Sequence, residues 1–317
     1  MANNDRGMNG AVPGLGRRFI GALGSIRGPA SPRLWTPVLP PGRRIVLPGR
    51  GEAFVRDHRP AGVAGPPVLL LHGWTWSLDV NYFAVMPELV AAGIPFVGFD
   101  QRGHGRGLPA GRPFEVADLA ADAVAVLDHF GIARVLVCGY SLGGPVGLHL
   151  ALAHPERVAG MVIAGAALSY RQSLRDRTVW RVLSGAAPLA RLGVGSSMPA
   201  RYFGASRRAS AELAQRWPWV REELARTTVS GALTMARAVS RYDLRDRVAS
   251  LRDIPVTAIV TTCDTVCAPR WQRQLAGQVG ARTVELPDDH DVPVARPDAF
   301  AAAVLGGVGG IRDRLPG

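Results

Sequence analysis

Short apolar runs recur along the chain, and longer stretches of mixed polarity separate them. Runs of this length, rich in valine, leucine and isoleucine, are typical of strands buried on both faces of a parallel sheet. We predict such strands within Pro66–Gly73, Pro95–Asp100, Val135–Cys138, Val158–Gly165, Pro255–Asp264 and Ala281–Asp288. Upstream of them, RRIVL and EAFVRDH flank a Pro-Gly-Arg-Gly turn, which predicts a two-stranded hairpin.

Helical patterns fill most of the spaces between these strands. They cover Asn81–Ala92, Glu115–Phe130, the apolar residues after Gly143, Trp271–Val279 and Pro297–Leu305. Strands that alternate with helices predict a mostly parallel sheet, here of about eight strands, with helices on both faces. Ligands of such sheets bind beyond the carboxyl ends of the strands, so the functional site is expected there.

The alternation stops between Ala167 and Tyr242. This stretch indicates helices and carries the aromatic residues Tyr170, Trp180, Tyr202, Phe203, Trp217 and Trp219. A helical insertion can supply apolar walls to a substrate pocket, or it can simply cover an edge of the sheet. We predict a core of residues 43–167 and 243–317, a helical cap of residues 168–242, and a basic leader or linker of residues 1–42.

The stretch VLVCGYSLGGPVG, residues 135–147, changes from strand to helix around a single serine. Gly139 and Gly143 flank Ser141 at two residues on either side. Small residues let backbone segments approach closely, and a sharp turn between strand and helix exposes the hydroxyl at the strand's carboxyl end. The pattern predicts that Ser141 is a nucleophile, provided that the chain supplies a base and an acid to orient it.

His290 is the candidate base, because it alone of the seven histidines follows the last predicted strand. Asp264 ends the preceding strand, so the two side chains are expected over neighbouring strands about 4.8 Å apart. The order Ser141, Asp264, His290 is that of a nucleophile-elbow triad. The oxyanion donors are then expected to be the backbone N–H groups of Leu142, next to the serine, and Trp74, after the strand that ends in His-Gly.

The motifs LLLHGW, FDQRGHGRG, GYSLGG and TTCDTVCAP, together with His290, resemble the α/β-hydrolase superfamily. The likeness covers roughly residues 43–305 and is greatest to the serine esterase and lipase branch of the kind found in actinobacteria. It implies an α/β-hydrolase fold, and structural roles for His72, Asp100 and His104. The family usually has glycine before its histidine, whereas this chain has Asp289, whose negative charge is expected to raise the pKa of His290.

The net charge of +12 is unevenly distributed along the chain. Residues 1–51 carry eight arginines and one acidic residue, and residues 168–246 carry fourteen arginines and six acidic residues. No nucleic-acid-binding motif accompanies this charge, so we predict no nucleic-acid partner, and peripheral contact of the leader and cap with an anionic membrane surface is an alternative. The three cysteines, Cys138, Cys263 and Cys267, are expected to be reduced.

The leader allows three interpretations. Arg17 and Arg18 before an apolar patch resemble a twin-arginine export signal, but glycines interrupt the patch and no cleavage site is evident. The spacing of Leu15, Phe19, Leu23 and Ile26 allows a basic amphipathic helix at a membrane surface. The glycines favour a flexible or docked leader, so a cytoplasmic location is expected, with export as the minor alternative.

Taken together, the sequence predicts a serine hydrolase that cleaves small-molecule or lipid carboxylic esters through an acyl-enzyme and needs neither a metal nor an organic cofactor. The serine disfavours dehalogenases and epoxide hydrolases, for which the resemblance implies an aspartate at the elbow. Cofactor-free haloperoxidases or perhydrolases, carbon–carbon bond hydrolases and acyltransferases share the triad and stay open. A non-catalytic member of the superfamily that only binds a ligand also stays open. The sequence does not identify the natural acyl group or the oligomeric state.

Overall fold

The computed structural model describes residues 35–111, 113–190 and 211–315. Its strands are β1 (Gly42–Leu47), β2 (Gly51–His58), β3 (Val68–Leu71), β4 (Phe96–Phe99), β5 (Val135–Tyr140), β6 (Val158–Ala164), β7 (Val256–Thr261) and β8 (Arg282–Leu286). They form one sheet in the order β1-β2-β4-β3-β5-β6-β7-β8. The β1–β2 and β2–β4 pairs are antiparallel and the others are parallel. The predicted hairpin and the mostly parallel sheet are confirmed.

Helices connect the strands on both sides of the sheet. They are α1 (Leu78–Tyr82), α2 (Val85–Ala91), α3 (Val116–His129), α4 (Gly143–Ala153), α5 (Leu174–Ala190), α6 (Ala211–Ala225), α7 (Val229–Val239), α8 (Pro269–Val279), α9 (Val292–Ala295) and α10 (Pro297–Arg312). Short 3₁₀ turns cover Pro155–Arg157 and Val248–Asp253. Within the described residues, no helix is long and apolar enough to cross a membrane.

The sheet separates two hydrophobic cores. Leu69 and Leu71 of β3 belong to the core that α3, α4 and α8 cover, whereas Val68 and Leu70 belong to the core that α1, α2 and α10 cover. Successive residues of a strand point to opposite faces, and all four residues of β3 are fully buried. This two-sided burial explains why the central strands are uniformly apolar.

The last helix is longer than its sequence pattern predicts. The prediction ends at Leu305 because GGVGG follows and glycine weakens a helix, but α10 continues to Arg312. Gly307 packs closely on the sheet, where an added Cβ would lie 3.1 Å from Val162 Cγ2. Burial of Val308 and Ile311 along the same face outweighs the poor propensity of the glycines.

The single helix predicted over Asn81–Ala92 is two helices, α1 and α2. Ser77 caps α1, accepting a hydrogen bond from Val80 N at 3.3 Å, so α1 begins earlier than predicted. Pro87 lies in the first turn of α2, where its missing N–H has no intrahelical partner to lose. The proline therefore fits a new helix start, and the break falls just before it.

Helices α5, α6 and α7 lie between β6 and β7, in the range 168–242 predicted as a helical cap. We call this range the insert. Helix α5 packs on α7, and α6 packs on α1 through a cluster that includes Trp76, Phe83 and Trp219. Residues 191–210 of the insert, and residues 1–34 of the predicted leader with its export and membrane-helix alternatives, lie outside the described residues.

Candidate active site

Ser141 lies at the sharp turn between β5 and α4. Its backbone has a φ of 50°, in the left-handed region that residues with side chains rarely adopt. Ser141 N donates to Ala164 O at 2.8 Å, and Gly144 N donates to Ser141 O at 3.0 Å, so both sides of the turn are held. A strained residue held in this way is typical of a nucleophile elbow, where the turn presents the hydroxyl at the end of the strand.

The two flanking glycines let the turn be this tight. A Cβ added to Gly139 would lie 2.4 Å from Gly143 O, and one added to Gly143 would lie 1.9 Å from Leu71 O. No side chain fits at such distances, because the contacted atoms belong to rigid, close-packed backbone. The glycine spacing around Ser141 therefore follows from the close approach of β3, β5 and α4.

Ser141, His290 and Asp264 form a continuous hydrogen-bonded chain. Ser141 Oγ lies 2.9 Å from His290 Nε2, and His290 Nδ1 lies 2.8 Å from Asp264 Oδ2. A carboxylate only accepts hydrogen bonds, so Nδ1 carries the ring proton and Nε2 accepts from the serine hydroxyl. The structure thus brings together the three side chains that the sequence predicts as nucleophile, base and orienting acid.

Asp264 and His290 lie in loops that follow adjacent parallel strands, β7 and β8. Backbone hydrogen bonds join the two loops, from Thr262 N to Leu286 O at 2.9 Å and from Cys263 N to Asp288 O at 3.0 Å. The side chain of Asp264 is fully buried and that of His290 is 11% exposed. Their interaction is therefore screened little by solvent.

Asp264 is held by more donors than the sequence indicates. Its Oδ2 accepts from Thr261 Oγ1 at 2.7 Å and from Gln272 Nε2 at 3.0 Å, besides His290. Its Oδ1 accepts from the backbone N–H groups of Val266 and Cys267. Sequence reasoning missed Thr261 and Gln272. One signal was available for Gln272, because it shares the buried face of α8 with apolar residues.

The same contacts set the protonation of the pair. Burial alone would lower the pKa of His290, but the negative charge and hydrogen bond of Asp264, with the charges of Asp289 and Asp291, raise it above 6.5. Burial would raise the pKa of Asp264, but the charge and hydrogen bond of His290, with the Thr261 hydroxyl, lower it below 3.8. The acid therefore stays ionised, and the direction expected for His290 from the neighbouring Asp289 agrees with the structure.

Tyr140, directly before the serine, also holds the histidine. Its hydroxyl donates to the carbonyl oxygen of His290, and its ring lies 5.4 Å from the imidazole, centroid to centroid. The ring is 1% exposed and also contacts Phe300 of α10 at 5.3 Å. Sequence reasoning missed this role, because the contact joins residues 150 positions apart.

We call residues 72–77, which connect β3 to α1 and contain the predicted donor Trp74, the oxyanion loop; this loop lies against the elbow. A Cβ added to Gly73 would lie 3.3 Å from Ser141 Cβ, so the backbone before Trp74 approaches the nucleophile closely. Gly73 N donates to Asn81 Oδ1 at 2.8 Å, and Thr75 has a positive φ of 67°. Among the described residues, neither Trp74 N nor Leu142 N has a hydrogen-bond acceptor. These two N–H groups are thus available to a ligand oxygen.

Three buried residues, His72, Asp100 and His104, support the oxyanion loop. His72 Nδ1 donates to Gly73 O, and its Nε2 accepts from Gln101 N, both at 2.8 Å. Burial lowers the pKa of His72 to about 4 and that of His104 to about 3, so both rings are neutral. Asp100 accepts from Leu78 N at 2.8 Å, at the start of α1. These contacts agree with the structural roles that the resemblance implies.

The insert contacts the oxyanion loop directly. Trp74 Nε1 donates to Ala232 O of α7 at 3.0 Å, and the Trp74 and Trp180 rings lie 5.3 Å apart. On the other side of the loop, Ser77 Oγ donates to Glu223 Oε2 of α6 at 3.0 Å. Two helices of the insert are therefore tied to the segment that carries the predicted oxyanion donor.

A family model described as the alpha/beta hydrolase fold matches residues 66–290, which include the elbow, the acid and the base. The chain is an α/β-hydrolase. Among solved structures, this α/β-hydrolase is similar to a hydrolase from Pseudomonas aeruginosa PA01, with a TM-score of 0.71 and 26% identity over 84% of this chain and 98% of that one. The fold class predicted from the sequence is confirmed.

Curated relatives of the α/β-hydrolase chain have varied activities. Rhodomycin D methylesterase of Streptomyces peucetius is 29% identical over 275 residues, which cover 76% of this chain and 90% of that protein. Epoxide hydrolase B of Mycobacterium tuberculosis is 37% identical over 105 residues, which cover 32% of this chain and only 29% of that protein. The likeness to the methylesterase therefore extends over most of both proteins, and the likeness to the epoxide hydrolase does not.

Proposed function

We propose that the protein is a serine hydrolase that cleaves carboxylic esters through an acyl-enzyme. The observation that carries the proposal is the hydrogen-bonded chain from Ser141 Oγ through His290 to Asp264, with distances of 2.9 and 2.8 Å. Both distances lie within the range needed for a base to take a proton from a nucleophile and for an acid to orient the base. Membership of the α/β-hydrolase family supports hydrolase activity. The specificity for carboxylic esters is what we propose.

In the first half of the reaction, Ser141 Oγ attacks the ester carbonyl carbon while His290 Nε2 takes the hydroxyl proton. The carbonyl oxygen becomes an oxyanion, which we propose the N–H groups of Trp74 and Leu142 bind. When the tetrahedral intermediate collapses, the bond to the alcohol oxygen breaks and His290 gives its proton to that oxygen. The alcohol leaves, and the acyl group stays on Ser141.

In the second half, water repeats these steps in place of the serine. His290 takes a proton from the water as the water oxygen attacks the acyl carbon, and then returns the proton to Ser141 Oγ as the acid leaves. Asp264 stays ionised throughout and stabilises the imidazolium that forms in each half. The hydrogen bonds that its carboxylate accepts from described residues hold it in one orientation during both transfers.

Two observations support an ester over the other substrates of the fold. The nucleophile position holds serine, where the sequence resemblance implies an aspartate for epoxide hydrolases. One relative matched over most of its length, the Streptomyces peucetius protein, is named a methylesterase. We also propose that the insert, residues 168–242, is a cap over this site, because α6 and α7 bond to the segment from Trp74 to Ser77.

A panel of 4-nitrophenyl esters of increasing acyl length tests the proposal. The wild-type protein is expected to give a burst of nitrophenolate equal to the enzyme concentration and then steady turnover. Ser141→Ala should abolish both phases, while Ser240→Ala, a serine at the end of α7, should retain them. A rate confined to a peroxide-dependent halide oxidation assay, or a turnover rate that Ser141→Ala retains, would contradict ester hydrolysis at this serine.

A further inference from the structure

The loop that carries the base contains an acidic residue where the resemblance leads us to expect glycine. Asp289 directly precedes His290 in PDDHDVP. A glycine there would offer only its backbone, whereas Asp289 offers a carboxylate within reach of both loops of the site. The contacts of that carboxylate concern the residues that the proposed ester hydrolysis uses. The inference drawn from them therefore rests on the proposed function.

The Asp289 carboxylate joins the base to the residue beside the acid. Its Oδ1 accepts from His290 N at 2.5 Å and from Thr265 N at 3.0 Å. Thr265 Oγ1 lies 3.1 Å from each carboxylate oxygen and donates to the carboxylate. Thr265 immediately follows Asp264, so one carboxylate connects the neighbour of the acid to the backbone of the base. We call Asp289 and Thr265 the loop clamp.

The loop clamp links the same two loops as the Asp264–His290 hydrogen bond, whose atoms are 2.8 Å apart. A link between the adjacent residues restricts the distance between the two loops and so the length of that bond. The loops keep their backbone contacts at Thr262 and Cys263 without the clamp. Removing the Asp289 side chain should therefore loosen the catalytic pair without unfolding the loops.

The clamp also places negative charge beside the imidazole. Within the part of the chain that the structure describes, the charged groups that face His290 are Asp264 from the β7 loop and Asp289 and Asp291 from its own loop, and Tyr140 faces it from β5. Asp288, one residue farther, is paired with Arg296 at 2.9 Å. The negative charges of Asp264, Asp289 and Asp291 favour the imidazolium form of His290, which is the form that both halves of the proposed reaction pass through.

We propose that Asp289 is a positioning residue that fixes the separation of the acid and base loops through Thr265. Its carboxylate has a second effect, through its charge, on the imidazole of His290. The two effects are separable by substitution. Asp289→Asn keeps an oxygen to accept from His290 N and Thr265 N but removes the charge. Asp289→Gly removes both the charge and the acceptor.

The test measures the pKa of His290 by NMR titration of histidine-labelled protein, and kcat against pH for a nitrophenyl ester. Asp289→Asn is expected to lower the pKa of His290 while its kcat at alkaline pH stays within about twofold of wild type. Asp289→Gly is expected to lower that pKa as well and to reduce the alkaline kcat about tenfold through mispositioning. Asp288→Asn, the matched control with a neighbouring paired charge, should change neither quantity.

Two results would overturn the inference. An unchanged pKa of His290 in Asp289→Asn would show that the charge does not act on the imidazole. An alkaline kcat that is equal in Asp289→Gly and Asp289→Asn would show that the clamp does not position the loops. Failure of the proposed function is a separate result, because it appears as a wild-type protein that turns over no ester, while the NMR titration still measures the effect of Asp289 on His290.

Discussion

The indole Nε1 of Trp74 donates a hydrogen bond to the carbonyl oxygen of Ala232 at 3.0 Å. Trp74 N is one of the two proposed oxyanion donors, and Ala232 lies in the first turns of α7. The insert and the oxyanion loop therefore share a direct bond. The position of the donor depends on the insert as well as on the core.

Trp74→Phe is expected to lower kcat for ester hydrolysis more than it raises KM. Phenylalanine keeps most of the ring contact with Trp180 but cannot donate to Ala232 O, so the loop loses its anchor. We expect a loss of about three- to tenfold in kcat, the effect of a small misplacement of a donor. Trp271→Phe, a partly exposed tryptophan of α8, is the matched control. Steady-state kinetics in which Trp74→Phe matches wild type would show that the anchor is dispensable.

Gln272→Leu is expected to reduce both activity and stability. The amide donates to Asp264 Oδ2 at 3.0 Å and to Cys267 O at 2.7 Å, and a buried carboxylate that loses a donor costs about 1–3 kcal/mol. We expect urea unfolding to show that loss and kcat to fall about tenfold as Asp264 becomes less well oriented. Gln278→Leu, on the more exposed part of the same helix, should leave both values near wild type. Equal unfolding free energies for the two variants would refute the role of Gln272.

The fold followed from the sequence more closely than the details of the site did. The central strands are short, uniformly apolar and bounded by turns, so local pattern alone placed them. The predicted end of α10 was wrong because the close approach of Gly307 to Val162 and the burial of Val308 and Ile311 are tertiary effects that no local propensity contains. The split between α1 and α2 was missed for a similar reason, since Pro87 can start a helix as well as end one.

At the site, chain order and strand ends were enough to select Ser141, Asp264 and His290, because parallel strands bring their carboxyl ends to one edge. Thr261, Gln272 and Tyr140 were not found, since their roles depend on which side chains meet across different elements. The sequence predicted the direction in which Asp289 shifts the pKa of His290 but not its bonds to Thr265. Asp289 is next to His290 in the sequence, so its effect on the histidine could be predicted. Its contact with Thr265 joins two loops and depends on the folded structure.

The elbow strain predicts an unusual order of stability. At Ser141, with a φ of 50°, an alanine would keep the strain of a side chain in the left-handed region, and a glycine would not. We expect Ser141→Gly to be more stable than Ser141→Ala by about 1 kcal/mol in urea unfolding, with both variants inactive. This reverses the usual order of the two residues in regular structure. A more stable alanine variant would mean that the turn relaxes to another conformation.

The raised pKa of His290 predicts the acid side of the activity profile. The imidazole must be neutral to accept the proton of Ser141, so activity is lost as the pH falls through the pKa of His290 in the folded protein. Burial would lower the pKa of His290, but the negative charges of Asp264, Asp289 and Asp291 outweigh this effect, so that pKa lies above 6.5. The acid limb of kcat/KM should therefore have its midpoint above pH 6.5. A midpoint below pH 6.5 would contradict the dominance of the carboxylates.

The proposed mechanism depends most directly on the nucleophilicity of Ser141. Incubation with a fluorophosphonate probe, digestion and mass spectrometry of the peptides measure it without knowledge of the natural ester. The account predicts one adduct on Ser141 in the wild-type protein, no adduct in Ser141→Ala, and slower labelling in Asp264→Asn, because the imidazole loses its orienting charge. A wild-type protein that fails to react, or a Ser141→Ala variant that still reacts, would contradict it.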